Sequence, residues 1–379
     1  MLASFLFAVT LARAAVFTLP VGLFFAAAAS PPDAPTVLAT ASALTIGSGL
    51  GLWPSGRLLD RIGPWRGLRW SMLGGAGSLA LLTAVMFAGA PTPAVLAVAG
   101  CSGAAWAAVI ATPRALLADL VRPGRLARAS GIEAASVEAA LISAPIAGAL
   151  LGRWGAAAVP TAGALVLVAA AALLPKHNDR QRQRLTGWPV ASTRVLALAG
   201  LALLVGLSGG LMEPGLAALP SPPFGDLGGN AVLFVAIGLG SAVGGLLAAR
   251  LEWPHAPGHG IPLLLIHAGG LAGAATTDGL PQLALLVVAG LPFAPLQSLA
   301  GLHLDHWAGA TRAAETFGMV TTALTLGTGI GQALTAQAVG RVTAQQLVLI
   351  AALPPVLAAG LVGLRWLRSR ATGAKRHRA

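Results

Sequence analysis

Long apolar segments, each about the length of a membrane helix, follow one another along almost the whole sequence. A helix needs about 20 mostly apolar residues to span a bilayer. By that rule we predict twelve membrane spans, numbered 1 to 12: residues 2–29, 36–58, 70–89, 93–113, 126–151, 155–174, 194–218, 229–249, 260–277, 280–301, 314–338 and 344–367. Spans 9 and 10 are separated by little more than Thr277-Asp278-Gly279.

The composition agrees with an integral membrane protein. Of the 379 residues, 56% are hydrophobic and 9% are charged, whereas soluble proteins carry roughly 25% charged residues. The net charge of +12 does not indicate nucleic-acid binding, because the basic residues lie in short loops, where they orient the chain and face anionic lipid. The single cysteine, Cys101, cannot form an intramolecular disulfide.

The distribution of basic residues supports the count of spans and predicts an orientation. With both termini in the cytoplasm, 21 of the 24 Lys and Arg residues fall at cytoplasmic ends, and the exceptions are Arg13, Arg153 and Arg341. Cytoplasmic loops of membrane proteins carry such an excess. We therefore predict a multi-pass protein of the cell (cytoplasmic) membrane with both termini inside.

A polar linker divides the predicted spans into two sets of six. We interpret residues 1–175 as an N-terminal six-helix bundle, 176–193 as a basic cytoplasmic linker, 194–367 as a C-terminal six-helix bundle and 368–379 as a basic tail. The predicted fold class is an all-α polytopic membrane protein with two pseudo-symmetric bundles, related by an axis along the membrane normal.

The turn between spans 2 and 3 carries the first concentrated charge in the chain. Its pattern, Gly-x-Leu-x-Asp-Arg-x-Gly, resembles the loop between the second and third helices of major facilitator superfamily transporters. The matching residues are Gly56, Asp60, Arg61, Gly63 and Arg66. The resemblance implies a latch that joins the two bundles on the cytoplasmic side. An ordinary basic hairpin between membrane helices is the alternative reading.

Two further motifs resemble bacterial efflux members of that superfamily. Arg114 and Asp119 stand where those proteins have their helix 4–5 junction, and Gly131, Pro145 and Gly148 match part of the antiporter signature in the fifth helix. Alanines at 140, 144 and 149 replace glycines of the signature. General packing of small residues explains the same pattern, because alanine also permits close helix approach.

Ionisable residues inside the spans are the candidate coupling sites, because charge in a membrane is costly. Arg13 lies roughly 15 Å into span 1, and Glu138 lies near the midplane of span 5. We expect Glu138 to face the central cavity as the leading proton-binding or cation-binding carboxylate, with Arg13 as its partner. A structural Arg–Glu pair is one alternative, and an Arg13 side chain that snorkels to the membrane surface is the other. Glu213, beside Pro214 in span 7, is a further candidate for cation binding or gating.

The remaining cavity lining is expected to be apolar. Our candidates are Trp106, Met212, Phe293 and Gln297. With few polar groups available, a lipophilic or amphipathic solute fits such a cavity better than a sugar or a phosphate.

Together these features predict a secondary active transporter, with proton-coupled efflux of small lipophilic molecules as the leading function. An uptake permease or uniporter is the first alternative, and a non-transporting sensor or membrane enzyme is the second. The sequence lacks a Gly-x-x-x-x-Gly-Lys-Ser/Thr phosphate loop and an enzyme motif, so we predict that it is not an enzyme. We assign no metal and no cofactor. The expected partners are the bilayer, a small-molecule substrate and protons, without nucleic acid or an obligate protein partner.

Overall fold

The computed structural model describes residues 1–121, 126–177, 192–219, 230–250, 259–308 and 313–376. Within these ranges the regular structure is helical, apart from turns, and comprises fifteen α-helices and one short 3₁₀ turn at Pro31–Asp33. The helices are α1 Leu2–Ala29, α2 Ala34–Ile62, α3 Pro64–Phe87, α4 Thr92–Ala111, α5 Pro113–Leu120, α6 Leu126–Gly152, α7 Ala158–Leu173, α8 Thr193–Ala217, α9 Ala231–Arg250, α10 Gly260–Ala274, α11 Gly279–Gly290, α12 Phe293–Ala308, α13 Ala313–Ala338, α14 Ala344–Ala351 and α15 Leu353–Arg376.

These helices account for all twelve predicted spans. Among the described residues, nine helical segments are long and apolar enough to cross a membrane, and α7 and α10 are shorter apolar helices. Helix α13, which is richer in polar residues, forms span 11 between α2 and α8. The chain is therefore a multi-pass membrane protein. Span 1 is observed at the predicted residues, and the separation of spans 9 and 10 is confirmed by the break between Ala274 and Gly279.

Two predictions of helix continuity are wrong. Span 10 consists of α11 and α12, and span 12 consists of α14 and α15. Span 4 ends at Ala111, two residues before its predicted end, and the short helix α5 begins after Thr112. Proline explains each break, because its ring removes a backbone N–H and clashes with the preceding turn. Pro113 lies at the end of span 4, and Pro292 lies at the break in span 10. Pro354 and Pro355 follow the break in span 12. In addition, α15 continues to Arg376, into the segment predicted to be a tail.

Glycine positions the tight turn between α2 and α3. Gly63 has φ 93° and ψ 134°, a conformation that residues with a side chain rarely adopt. Its N–H donates to the carbonyl of Leu59, which ends α2, and Pro64 begins α3 at the position where proline costs no helical hydrogen bond. The basic motif of the sequence therefore forms an abrupt reversal between two long helices.

Equivalent helices make the same close contacts in both halves. Spans 2 and 4 meet where a Cβ at Gly47 would collide with the backbone of Gly100, and spans 8 and 10 meet where one at Gly240 would collide with the carbonyl of Val287. Spans 1 and 5 approach at Gly148, which lies against the backbone of Gly22. Spans 7 and 11 approach in the same way, as described below. An offset of six spans relates each pair, which supports two repeated bundles.

Each half has its own buried core. The N-terminal core is organised around α1, which packs against α2, α6 and α7, and it includes Phe5, Leu19 and Phe24. The largest C-terminal core joins α8 to α10, α11 and α14 and includes Leu216, Leu271 and Leu286. Apart from two alanines of α8 and α13 that join the N-terminal core, the cores are separate, so each half can move as one body.

Candidate functional site

The described contacts between the halves extend from the middle of the helices, where Gly49 of α2 faces the side chain of Leu326 in α13, to the end of the molecule where α1 finishes and α2 begins. Few of the basic residues lie at this end, so we call it the outer end. The Ser42 hydroxyl of α2 donates a hydrogen bond of 2.8 Å to the carbonyl of Gly329 in α13. The rings of Phe25 in α1 and Phe234 in α9 are 5.8 Å apart. We refer to Ser42, Ile46, Gly329, Phe25 and Phe234 as the outer seal.

Small residues bring the helices of the outer seal close together. A Cβ at Gly329 would lie 3.0 Å from the backbone nitrogen of Ile46, so only glycine fits there without displacing α2. Near this end, Ala217 of α8 and Ala336 of α13 are buried in the core of the N-terminal half. The surfaces of the two halves are thus packed together at the outer end.

Helices α8 and α13 have an even closer approach within the C-terminal half. A Cβ at Gly206 would collide with the carbonyl of Leu324, and one at Gly210 would collide with the carbonyl of Thr328. From the other side, Gly327 faces the carbonyl of Leu203. These glycines let the two backbones touch, as small residues do in membrane helix pairs. A movement of α13 at the outer seal is therefore transmitted to α8.

Arg13 forms a buried ion pair with Glu133, and this corrects the prediction that its partner is Glu138. The Arg13 Nη1 atom donates to Oε1 of Glu133 at 2.5 Å, with both side chains almost fully buried. Its Nη2 atom donates to the carbonyl of Ile110 at 3.3 Å, next to the break between α4 and α5. Arg13 therefore links α1, α4 and α6 within one half, which agrees with the alternative reading of a structural pair.

Glu138 lies one helical turn before Ile142, which contacts Gly238 of α9. Residues four apart share a helix face, so Glu138 lies on the side of α6 that is turned towards the other half. Its side chain is half-buried. Among the described residues it has no basic partner in an ion pair.

Glu213 is held at the α8–α13 contact by a residue that the sequence interpretation missed. The Nε2 atom of Gln332 in α13 donates to Oε2 of Glu213 at 3.4 Å. Gln332 is 1% exposed, and its Oε1 atom has no hydrogen-bond partner among the described residues. An amide in the glycine-rich run Gly329-Ile330-Gly331-Gln332 was the available signal, because a buried polar side chain in a membrane helix needs a partner.

The four predicted lining residues have different environments. Trp106 is 2% exposed and packs beside Gly75 in the N-terminal core, and Met212 is buried in the C-terminal core. In this conformation both are packing residues, which corrects their placement in the cavity lining. The Phe293 ring meets the His267 ring edge-on, with centroids 4.8 Å apart. Gln297 is exposed on α12.

A buried network in the C-terminal half satisfies carbonyls at two helix breaks. The Ser208 hydroxyl donates to the carbonyl of Ala351 at 2.6 Å. Pro355, four residues further on, has no N–H to offer that carbonyl. His267 contacts the carbonyl of Ala289 through Nδ1 at 2.8 Å, close to the break at Pro292. The histidine and the serine thus stabilise the irregular backbone of spans 10 and 12.

The structure describes only some residues of the predicted latch and of the predicted helix 4–5 junction. Arg61 and Arg66 are exposed, and a side chain at Gly56 would meet open space. The side chains of Asp60, Arg114 and Asp119 and the surroundings of Gly131 lie outside the described residues. Pro145 lies within α6, and Gly148 supports the contact of α6 with α1. The latch and antiporter roles stay predictions.

Comparison with protein-family models gives no match, and comparison with curated proteins gives none either. Among solved structures, the chain is similar to the crystal structure of a point mutant of the nucleoside transporter NupG. The TM-score is 0.76, and the alignment covers 96% of this chain and 99% of that chain at 14% sequence identity. The two proteins therefore share one fold over nearly their whole length.

Proposed function

We propose that this chain, which has the fold of the major facilitator superfamily, is a secondary transporter that moves a small solute across the membrane by alternating access. The observation that carries the proposal is the outer seal between two separately cored halves. Among the described residues, this seal consists of one hydrogen bond, one aromatic contact and close helix packing, and such a seal can open when the halves rock as rigid bodies. The hydrogen bond from Ser42 to Gly329 is its centre.

The described conformation corresponds in this mechanism to the state closed on the outside. The basic loops would then face the cytoplasm, as the excess of Arg and Lys in them indicates. Opening of the outer seal would be matched by closure at the cytoplasmic end, where the motif from Gly56 to Arg66 would act as the latch.

Proton coupling would use Glu138 and Glu213. Among the described side chains, these are the carboxyl groups within the spans that no basic side chain neutralises, because Glu133 is paired with Arg13. Glu213 has only the neutral amide of Gln332 as a side-chain partner. Glu213 is half-buried, and its partner Gln332 lies one turn of α13 beyond Gly329 of the outer seal. Desolvation of an unpaired carboxylate is costly, so closure of the seal over Glu213 would favour its protonated form. Proton binding and conformation are linked in this way.

Proton-driven uptake is the direction we favour, with nucleosides as the first solutes to test, because the similar structure is that of a nucleoside transporter. Efflux of a lipophilic molecule is the second candidate. The packing of α6 on α1 around Pro145 and Gly148 favours it, because that stretch resembles the antiporter signature.

Flux into proteoliposomes that contain a pH-sensitive dye tests the proposal. Radiolabelled uridine, adenosine, glucose and tetraphenylphosphonium are offered with an acid exterior. Entry of a solute with acidification of the lumen supports uptake with protons. Loss of a solute from vesicles that already contain it, driven by the inward proton gradient, supports efflux. Glu138→Gln and Glu213→Gln should abolish the coupled proton signal, and Asp33→Asn, in an exposed loop, should keep it. No flux above protein-free vesicles for any solute would contradict the proposal.

A further inference from the structure

A basic cavity lies where the beginning of α3 meets the end of α7. Its volume is about 520 Å³, and it is lined by Trp65, Arg66, Arg69, Pro175, Lys176 and His177. Two arginines, one lysine and one histidine therefore surround a single space, and none of the six lining residues is acidic. Because Trp65 and Arg66 lie in the first turn of α3, the positive end of that helix adjoins the cavity and adds to its attraction for anions.

The walls of this basic cavity are held in place by specific contacts. The Nη2 atom of Arg69 donates to the carbonyl of Leu174 at 2.6 Å and to that of Pro175 at 3.3 Å. The rings of Trp65 and His177 lie 4.8 Å apart. The Nε atom of Arg69 is buried and has no hydrogen-bond partner among the described residues. The cavity thus has an ordered frame and a donor that remains unused.

An exposed strip of α3 runs from the basic cavity towards the apolar middle of the helix. Arg66, Trp70, Leu73 and Gly77 are exposed at a spacing that puts them on one helix face. Trp70 is 65% exposed and lies one turn beyond Arg66. Tryptophans are enriched at the membrane surface, at the level of the lipid headgroups. A Cβ at Gly77 would have no atom within 4 Å, so the surface at this end of the strip is open.

We propose that the basic cavity binds the phosphate of an anionic phospholipid, with an acyl chain lying along the strip from Trp70 to Gly77. The charges suit a phosphate-bearing anion, and the cavity lies at the end of the chain that carries the basic loops. Basic pockets between membrane helices bind anionic headgroups on that side of a membrane. The continuous apolar strip selects a lipid over a free anion. The site is independent of the transported solute.

Lipid titration of the purified full chain, followed by native mass spectrometry, tests this site. Phosphatidylglycerol and phosphatidylcholine with identical acyl chains are compared. One phosphatidylglycerol per chain should bind at least about 25-fold more tightly than phosphatidylcholine, because several basic residues each contribute about fivefold to the affinity for an anionic lipid. The variant Arg66→Gln/Lys176→Gln should lose about 25-fold of that affinity, because each basic residue near an anionic lipid contributes about fivefold. Lys176→Gln alone, which leaves the helix residues intact, should lose about fivefold.

The matched control is Arg194→Gln/Arg250→Gln. It removes two exposed charges, one at the start of α8 and one at the end of α9, on the side of the molecule that carries the basic loops, and it should change the affinity less than twofold. Equal losses in the cavity variant and the control would overturn the proposal, since only the general surface charge would then attract the lipid. Inorganic phosphate and glycerophosphoglycerol are added as competitors. Displacement of the lipid by either at equal concentration would identify a soluble anion as the ligand and would also overturn it.

Discussion

Arg13 and Glu133 lie 120 residues apart in the chain, and their side chains form an ion pair inside the N-terminal half. The pair ties α1 to α6, and the second contact of Arg13, with the carbonyl of Ile110, adds α4. Both charges are used within one half. They therefore strengthen that half as a unit and leave Glu138 and Glu213 for the proton coupling that we propose.

Removal of either partner of this pair should destabilise the protein strongly. Arg13→Met or Glu133→Leu leaves an uncompensated buried charge, which costs about 3–5 kcal/mol. The double variant Arg13→Met/Glu133→Leu removes both charges and should recover most of that loss. Denaturant unfolding of the purified protein in detergent measures the free energy. Equal losses in the single and double variants would show that the pair has no such role.

Gly329→Ala should shift the protein towards the state that is open on the outside. The added Cβ would meet the backbone of Ile46, and overpacking of this kind costs about 1–3 kcal/mol. Spin labels at Thr36→Cys in α2 and Gln337→Cys in α13, in a Cys101→Ser background, report the separation of the halves. Gly318→Ala is the control, because Gly318 lies on the same helix with open space around it. The idea fails if both variants give the same distance distribution.

Ser208→Ala should lower the free energy of unfolding by about 1–3 kcal/mol, because it leaves the carbonyl of Ala351 buried without a donor. Ser298→Ala is a suitable control. The Ser298 hydroxyl donates to the carbonyl of Ala294 within one helix and is exposed, so its loss should cost less than about 0.5 kcal/mol. Thermal unfolding in detergent compares the two variants, and equal effects would contradict the assigned role of Ser208.

Glu213→Gln should favour the closed outer seal. The amide mimics the protonated carboxyl and no longer carries a charge that burial penalises. The distance between labels at positions 36 and 337 should therefore stay in its short population at every pH, whereas in the parent protein that population should grow as the pH falls. A parent-like pH response in the variant would remove Glu213 from the linkage.

Much of the fold could be predicted from the apolar pattern. Span 1 was placed at the observed residues 2–29, and span 7 differs from α8 by one residue at each end. Hydropathy does not predict the breaks in spans 10 and 12, because it averages over about 20 residues and does not register where backbone hydrogen bonds end. The pair Pro354-Pro355 carried that information through the missing N–H groups.

The partners of buried polar side chains are harder to predict from the sequence than the spans are. Depth along a helix pairs Arg13 with Glu138, whereas the direction of each side chain around the helix axis decides which carboxylate it meets, and that carboxylate is Glu133. Gln332 was overlooked because its role depends on the approach of α8 to α13, a contact between residues 119 positions apart in the chain. Sequence indicated which residues are costly to bury, and only the packing indicates their partners.

Crosslinking across the outer seal during transport tests the central claim, that solute crosses the membrane by alternate opening of this seal. Thr36→Cys and Gln337→Cys in the Cys101→Ser background are joined with a short, reducible bifunctional thiol reagent, and uptake of uridine, or of another solute carried in the flux assay, is measured in proteoliposomes. Transport should stop on crosslinking and return on reduction, whereas the pair Thr36→Cys and Thr92→Cys, within one half, should transport throughout. Undiminished transport through protein crosslinked at 36 and 337 would contradict the account.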